Sequence, residues 1–113
     1  MKEVNINVLG ETYLVKIGER DELPRLKPEN MGECRIYNKQ IYIVNSTEPD
    51  CNSLEKNIRT REIVAHEIFH AFLNEAGINL DEDVEEFMAC FFMKNWCKMN
   101  NSILEVLDDL GIV

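Results

Sequence analysis

His66 and His70 are the only histidines in the chain, and they stand four residues apart around Glu67, in the segment His66-Glu67-Ile68-Phe69-His70. On a helix, positions i and i+4 project from one face, one turn apart. Two imidazole nitrogens can then converge on a single ion at the about 2.0–2.1 Å that zinc requires. Glu67 falls beside the pair, where it can hold a water on the open side of the ion as general base. The chemistry this spacing offers is hydrolysis by a metal-activated water. A competing reading makes the imidazoles hydrogen-bonded core side chains and Glu67 a helix former, but a buried Glu between two His is costly unless something compensates it.

Catalytic zinc usually takes three protein ligands and keeps one position open. The extended motif H-E-x-x-H-x-x-G-x-x-H is excluded, because Leu73 and Ala76 stand where Gly and His would be and there is no third histidine. A carboxylate must therefore complete the set. The acidic run Asp81-Glu82-Asp83-Val84-Glu85-Glu86 opens the next helix, and the short link Gly77-Ile78-Asn79-Leu80 forces that helix back antiparallel to the first. Glu82 and Glu86 share a face with Ala89 and Met93. Glu82 is the expected metal ligand, and Glu86 the acid that orients a ligating histidine. The alternative for Glu82 is a capping box with Asn79, in a first turn whose acids suit the helix dipole. Asp83 and Glu85 read as solvated charges. Cys34 or Cys51 joining the histidines would give instead a closed, non-catalytic zinc site.

The elements that must position these residues are legible in the pattern. From Asn52 to Ala76 there is neither Pro nor Gly; Asn52 with Glu55 suggests a capping box, and Gly77 a C-terminal cap. From Ile63 onward the helix is apolar nearly all round, which predicts burial. A second helix runs from the acidic cluster to about Asn95, and a short amphipathic one from Ser102 to Leu110 is expected to pack on the pair. The first half reads as strands. Val4, Ile6 and Val8 alternate with polar residues, as do Tyr13, Val15 and Ile17 beyond a turn at Leu9–Thr12. Residues Arg20–Met31, with Pro24 and Pro28, read as a loop with a short helical turn. Glu33–Tyr37 and Gln40–Val44 form a second hairpin-like pair. The expected fold is α+β: a small twisted antiparallel or mixed sheet packed on the motif helix and its antiparallel successor, as a single domain over residues 1–113.

Composition narrows the function class. A chain of 113 residues suits one core and has no room for a second lobe. A net charge of −9 disfavours nucleic acid and anionic membranes. The longest apolar run, Phe87–Met93, is far short of a membrane span, and Met1-Lys2-Glu3-Val4-Asn5 lacks a signal-peptide core, so a cytoplasmic location is expected. The four cysteines, Cys34, Cys51, Cys90 and Cys97, show no C-x-x-C spacing and read as reduced thiols.

The stretches Glu62–Phe72, Asn74–Gly77 and Asp81–Ala89 together resemble the small zincin-like metallopeptidases of bacteriophages and prophages and, more distantly, the gluzincin group that includes the ImmA-type peptidases. The resemblance covers about a third of the chain. It implies a zincin-like minimal domain, a zinc cofactor, intracellular peptide-bond hydrolysis and a protein or peptide substrate. It also places the third ligand at the first Glu of an E-x-x-A-x-x-x-A-like helix, which maps onto Glu82 with Ala89 at its end. Glu85 stands where a small residue is usual and the interval from His70 is short, which leaves the choice between Glu82 and Glu86 open. In zincin-like folds a strand such as Gln40–Val44 pairs with bound peptide, and Tyr37 or Tyr42 is a candidate to stabilise an oxyanion. Two rivals stand beside this reading. One is a non-catalytic zinc-stabilised interaction module. The other is an acidic binding protein without metal. An apolar groove around Met88, Phe91, Phe92 and Trp96 could serve either rival, but the expectation for those residues is core at helical spacing.

Overall fold

A computed structural model describes residues 1–45 and 53–112. The chain is α+β, with a four-stranded mixed sheet and two helices in the order β1 (Lys2–Val8), β2 (Glu11–Gly18), β3 (Gly32–Arg35), β4 (Gln40–Val44), α1 (Ser53–Glu75) and α2 (Glu82–Asp109). The proposed Asn52 cap and Cys51 lie outside the described residues.

The expected first hairpin forms, with β1 and β2 antiparallel from Lys2↔Ile17 to Val8↔Glu11. Its turn is tighter than anticipated: Leu9 and Gly10 alone make it, at φ of +51° and +93°, the left-handed pair that matches strand twist in two-residue hairpins. Asn7 Oδ1 accepts the Gly10 N–H at 2.8 Å, closing the turn. β3 and β4 pair antiparallel as expected, from Gly32↔Ile43 to Arg35↔Gln40. A short 3-10 turn at Arg20–Glu22 lies in the intervening loop.

The strand order is β1-β2-β4-β3, with β4 parallel to β2. Gln40–Val44 is therefore an interior strand, flanked on both edges, and cannot pair with a bound peptide. Its composition explains why: Ile41, Tyr42, Ile43 and Val44 are all buried, the continuous apolar run of a strand covered on both faces. β3 and β1 are left as the two edge strands, and β3 is the one next to β4.

One face of the sheet, carrying Val8, Tyr13, Val15, Ile41 and Ile43, packs on α1 around the fully buried Ala71, with Ile63, Val64 and Ile68 alongside. The other face, through Tyr42 and Val44, is covered by Leu23, Leu26 and Met31 of the loop. Tyr13 also ties sheet to helix by chemistry: its hydroxyl donates to Glu75 Oε1 at 2.7 Å and accepts from Asn74 Nδ2 at 3.3 Å. At the end of α1, Gly77 takes φ +71° and the Ile78 N–H reaches back to the Leu73 carbonyl at 3.0 Å, the expected glycine stop.

α2 runs antiparallel to α1 and is a single helix of 28 residues, longer than the two segments expected. No Pro or Gly interrupts it, and Asn100-Asn101 costs only about 1 kcal/mol in helix propensity, too little to break it. The Ser102–Leu110 stretch therefore continues α2, and Ile103, Leu104 and Val106 are exposed where packing was anticipated. The core role expected of the apolar residues of this helix holds for some of them only: Phe92 stacks on Phe69 of α1 with ring centroids 5.1 Å apart, while Phe91 and Met88 are exposed. Among the described residues, no helix is long and apolar enough to cross a membrane.

Candidate metal centre

Helical spacing does for the motif what the sequence implies. His66 and His70 lie one turn apart on α1, both half-buried, with their Nε2 atoms 3.2 Å from each other. From α2, Glu86 closes the triangle: its Oε1 lies 2.9 Å from His66 Nε2 and its Oε2 3.3 Å from His70 Nε2. These three side chains form the one group among the described residues whose donor atoms could hold a metal ion, all within 4.8 Å of one another. Ala89, about one turn beyond Glu86 on α2, is fully buried.

Glu82, the expected ligand, is not in the group. It is the first residue of α2, is exposed, and lies on the rim of the same cleft. Nor does it form the alternative capping box with Asn79, because Asp81 is the residue at the helix N-cap. Glu86 moves from the orienting role to the convergence point. The orienting role passes to Glu85, expected to be solvated: His70 Nδ1 stands 2.7 Å from Glu85 Oε2. Donation from Nδ1–H to that carboxylate fixes the tautomer and leaves the Nε2 lone pair facing the centre. On His66 the corresponding neighbour is Cys90, whose Sγ lies 3.9 Å from Nδ1. Burial holds the His66 imidazole below its ordinary value, with the Glu86 charge opposing and His70 reinforcing the shift. The neutral ring so favoured is the form that ligates metal.

Glu67 is the one buried charged side chain among the described residues, 7 % exposed. Its Oε1 lies 4.0 Å from His66 Nε2, and it makes no hydrogen bond to any described residue. Burial pushes its carboxyl up to about 7; His70 opposes this, while the charges of Glu86 and Glu33 add to it. A carboxylate poised near neutrality beside a cluster of donor atoms is suited to taking and returning a proton. It is also an unsatisfied polar group at high burial, which calls for a partner in the cleft.

Strand β3 forms the facing wall, and Gly32 sets how near it comes. A Cβ at Gly32 would meet Ile63 Cγ2 at 2.8 Å and Glu67 Cγ at 3.0 Å. Only glycine allows the strand to lie against the motif helix at the height of Glu67. The resulting cleft has a volume of about 780 Å³ and is bounded by the segment from Glu29 to Cys34, the motif face of α1 and the first turns of α2.

The candidate tyrosines do not reach it. Tyr37 is 99 % exposed on the β3–β4 turn, and Tyr42 is buried on the opposite face of the sheet, its hydroxyl donating to Gln40. Cys34 lines the cleft but packs with the sheet core and stands outside the donor group. Comparison with protein-family models, curated proteins and solved structures returns no match.

Proposed function

We propose that the protein is a small zinc-dependent peptidase of zincin type, with His66, His70 and Glu86 as ligands and Glu67 as general base. The observation that carries this reading is the convergence of two imidazole Nε2 atoms and one carboxylate next to a buried carboxylate that no described residue satisfies by a hydrogen bond. The donor set fits the ion: two neutral nitrogens and one oxygen, each imidazole placed from the same helix face, with an outer carboxylate on His70. Histidine and carboxylate together suit zinc better than the hard, all-oxygen sites of calcium or magnesium.

A bound zinc ion would supply Lewis acidity, polarising a scissile carbonyl and bringing the pKa of water to about 7. The chain's own residues do the rest. Glu67 accepts the proton of the attacking water at its carboxylate and passes it to the leaving amine nitrogen, a transfer for which its raised proton affinity is matched. Glu85 holds His70 in one orientation throughout. An extended substrate would pair with the free edge of β3, the strand that borders the cleft, by adding a strand to the sheet.

The test measures zinc content by plasma mass spectrometry and hydrolysis of a mixed peptide pool by product mass spectrometry, for the native chain, His66→Ala and Glu67→Gln. The expected result is about one zinc per chain in the native protein and in Glu67→Gln, with hydrolysis in Glu67→Gln reduced at least about 100-fold. His66→Ala should lose both. Undiminished hydrolysis by Glu67→Gln refutes the mechanism; zinc in the native protein with no hydrolysis favours a zinc-stabilised interaction module.

A further inference from the structure

The cleft carries more negative charge than the chemistry above uses. Among the described residues six glutamates line it, Glu29, Glu33, Glu67, Glu82, Glu85 and Glu86, and no Lys or Arg does. Glu85 and Glu86 are engaged with the histidines, Glu67 is held for proton transfer, and Glu33 is paired with Arg35 Nε at 3.1 Å. Two remain. Glu29, in the segment before β3, and Glu82, at the start of α2, are exposed, come from opposite walls, and have no ion pair with any described residue. An independent feature marks the same cleft as the receiver of a ligand: Glu67 is more than nine-tenths buried, lines it, and has no hydrogen-bond partner among the described residues.

We infer that the cleft selects peptides with Lys or Arg flanking the bond presented to the centre, Glu29 and Glu82 contacting those cationic side chains from the two walls. This rests on the peptidase reading for the word bond, but the selection itself is a binding property. An acidic wall repels a peptide of its own charge and attracts a basic one, and exposed pairs of this kind are weakened by salt over a Debye length of about 8–10 Å. The net charge of −9 would add a diffuse attraction for cations over the whole surface, so localisation to these two residues is what the experiment must read.

Three labelled peptides of equal length, identical but for Lys, Gln or Glu on both sides of a central Ala-Leu bond, are bound to the zinc-loaded Glu67→Gln protein and followed by fluorescence anisotropy. The Lys peptide is expected to bind at least about tenfold more tightly than the Glu peptide. Adding Glu29→Gln and Glu82→Gln should weaken the Lys peptide about three- to tenfold and leave the Gln peptide unchanged. The pair Glu105→Gln and Asp108→Asn, which removes the same charge from the far end of α2, should leave all three unchanged. Equal affinity for the Lys and Glu peptides overturns the inference, and so does an equal loss in both charge-removed pairs. Hydrolysis by the native enzyme separates the two readings: selective binding without cleavage sustains the inference and sinks the peptidase, whereas cleavage of the three peptides at one rate does the reverse.

Discussion

Exchanging Glu86 and Glu82 for Gln, one at a time, tests the proposed ligand against its neighbour one turn away. Glu86 bridges both imidazoles at 2.9 and 3.3 Å, and its amide would offer a neutral oxygen where the site presents an anion. Loss of an outer partner of a ligand costs about 10–100-fold in metal affinity, so loss of the ligand itself should cost at least about 100-fold. With free zinc buffered at a hundred times the native dissociation constant, binding adds about 2.7 kcal/mol to the native fold, and in Glu86→Gln about 0.4 kcal/mol. Over 113 residues the unfolding entropy converts 1 kcal/mol into about 4 °C. Zinc should therefore raise the melting temperature of the native protein by about 11 °C and that of Glu86→Gln by about 2 °C. The exposed Glu82 reaches neither imidazole, and Glu82→Gln should keep the native increment to within about 2 °C. Scanning calorimetry in zinc buffer and in chelator reads the increment for each protein, which cancels any change in the metal-free fold. A native increment in Glu86→Gln, or its disappearance in Glu82→Gln, refutes the assignment of Glu86.

Glu85→Gln should weaken zinc binding about 10–100-fold while preserving the stoichiometry, because it replaces the charged acceptor behind His70 with a neutral amide oxygen; competition with a chromophoric chelator measures it. Gly32→Ala puts a methyl group 2.8 Å from Ile63 Cγ2 and 3.0 Å from Glu67 Cγ. An overpacking cost of about 1–3 kcal/mol should lower the melting temperature by about 4–12 °C, and the displaced Glu67 should reduce turnover more than zinc content. Burial, with the charge of Glu67 next in weight, pushes the Cys34 thiol up from its ordinary 9.0 to about 12. Since the thiolate is the reactive form, alkylation of Cys34 at pH 8 should be about a thousandfold slower in the folded protein than in urea. Its folded value lies above its unfolded one, so this thiol's contribution to stability is complete below pH 9 and falls as the pH rises toward 12. Peptide mapping after timed iodoacetamide quenching reads the alkylation rate, and comparable rates in both states contradict the burial of this thiol.

How far the sequence could carry these assignments differs by element. Alternation in Val4–Val8 and Tyr13–Ile17 is a local signal, and β1 and β2 pair as it implies. Gly77 ends α1 because a left-handed residue is needed there, which is again local. The parallel contact of β2 with β4 is not, since nothing within either strand names its partner. The run Ile41–Val44 did hold a usable sign: four consecutive apolar residues need cover on both faces, which places them inside a sheet and makes β3 an edge. The continuity of α2 was also available in the absence of Pro and Gly, but the two Asn residues weighed as a break that their small propensity cost does not support.

That Glu86 and not Glu82 converges with the histidines has a different cause, because the two share a helix face and periodicity cannot choose between them. Height along the axis can. α1 continues five residues past His70, to Glu75, which at about 1.5 Å per residue carries the chain some 7.5 Å beyond the motif before it turns. α2 begins at Glu82, so Glu82 stands near the level of the turn, below both imidazoles. Three and four residues into α2, about 4.5–6 Å up its axis, Glu85 and Glu86 are the residues that meet the histidines. One reaches the far nitrogen of His70 and the other the near nitrogens of both histidines. A short link brings two antiparallel helices together, but the length of helix beyond the motif decides which turn of the second meets it. Lengthening both helices by equal amounts at the Gly77–Leu80 end would preserve the centre only if whole turns were added to each.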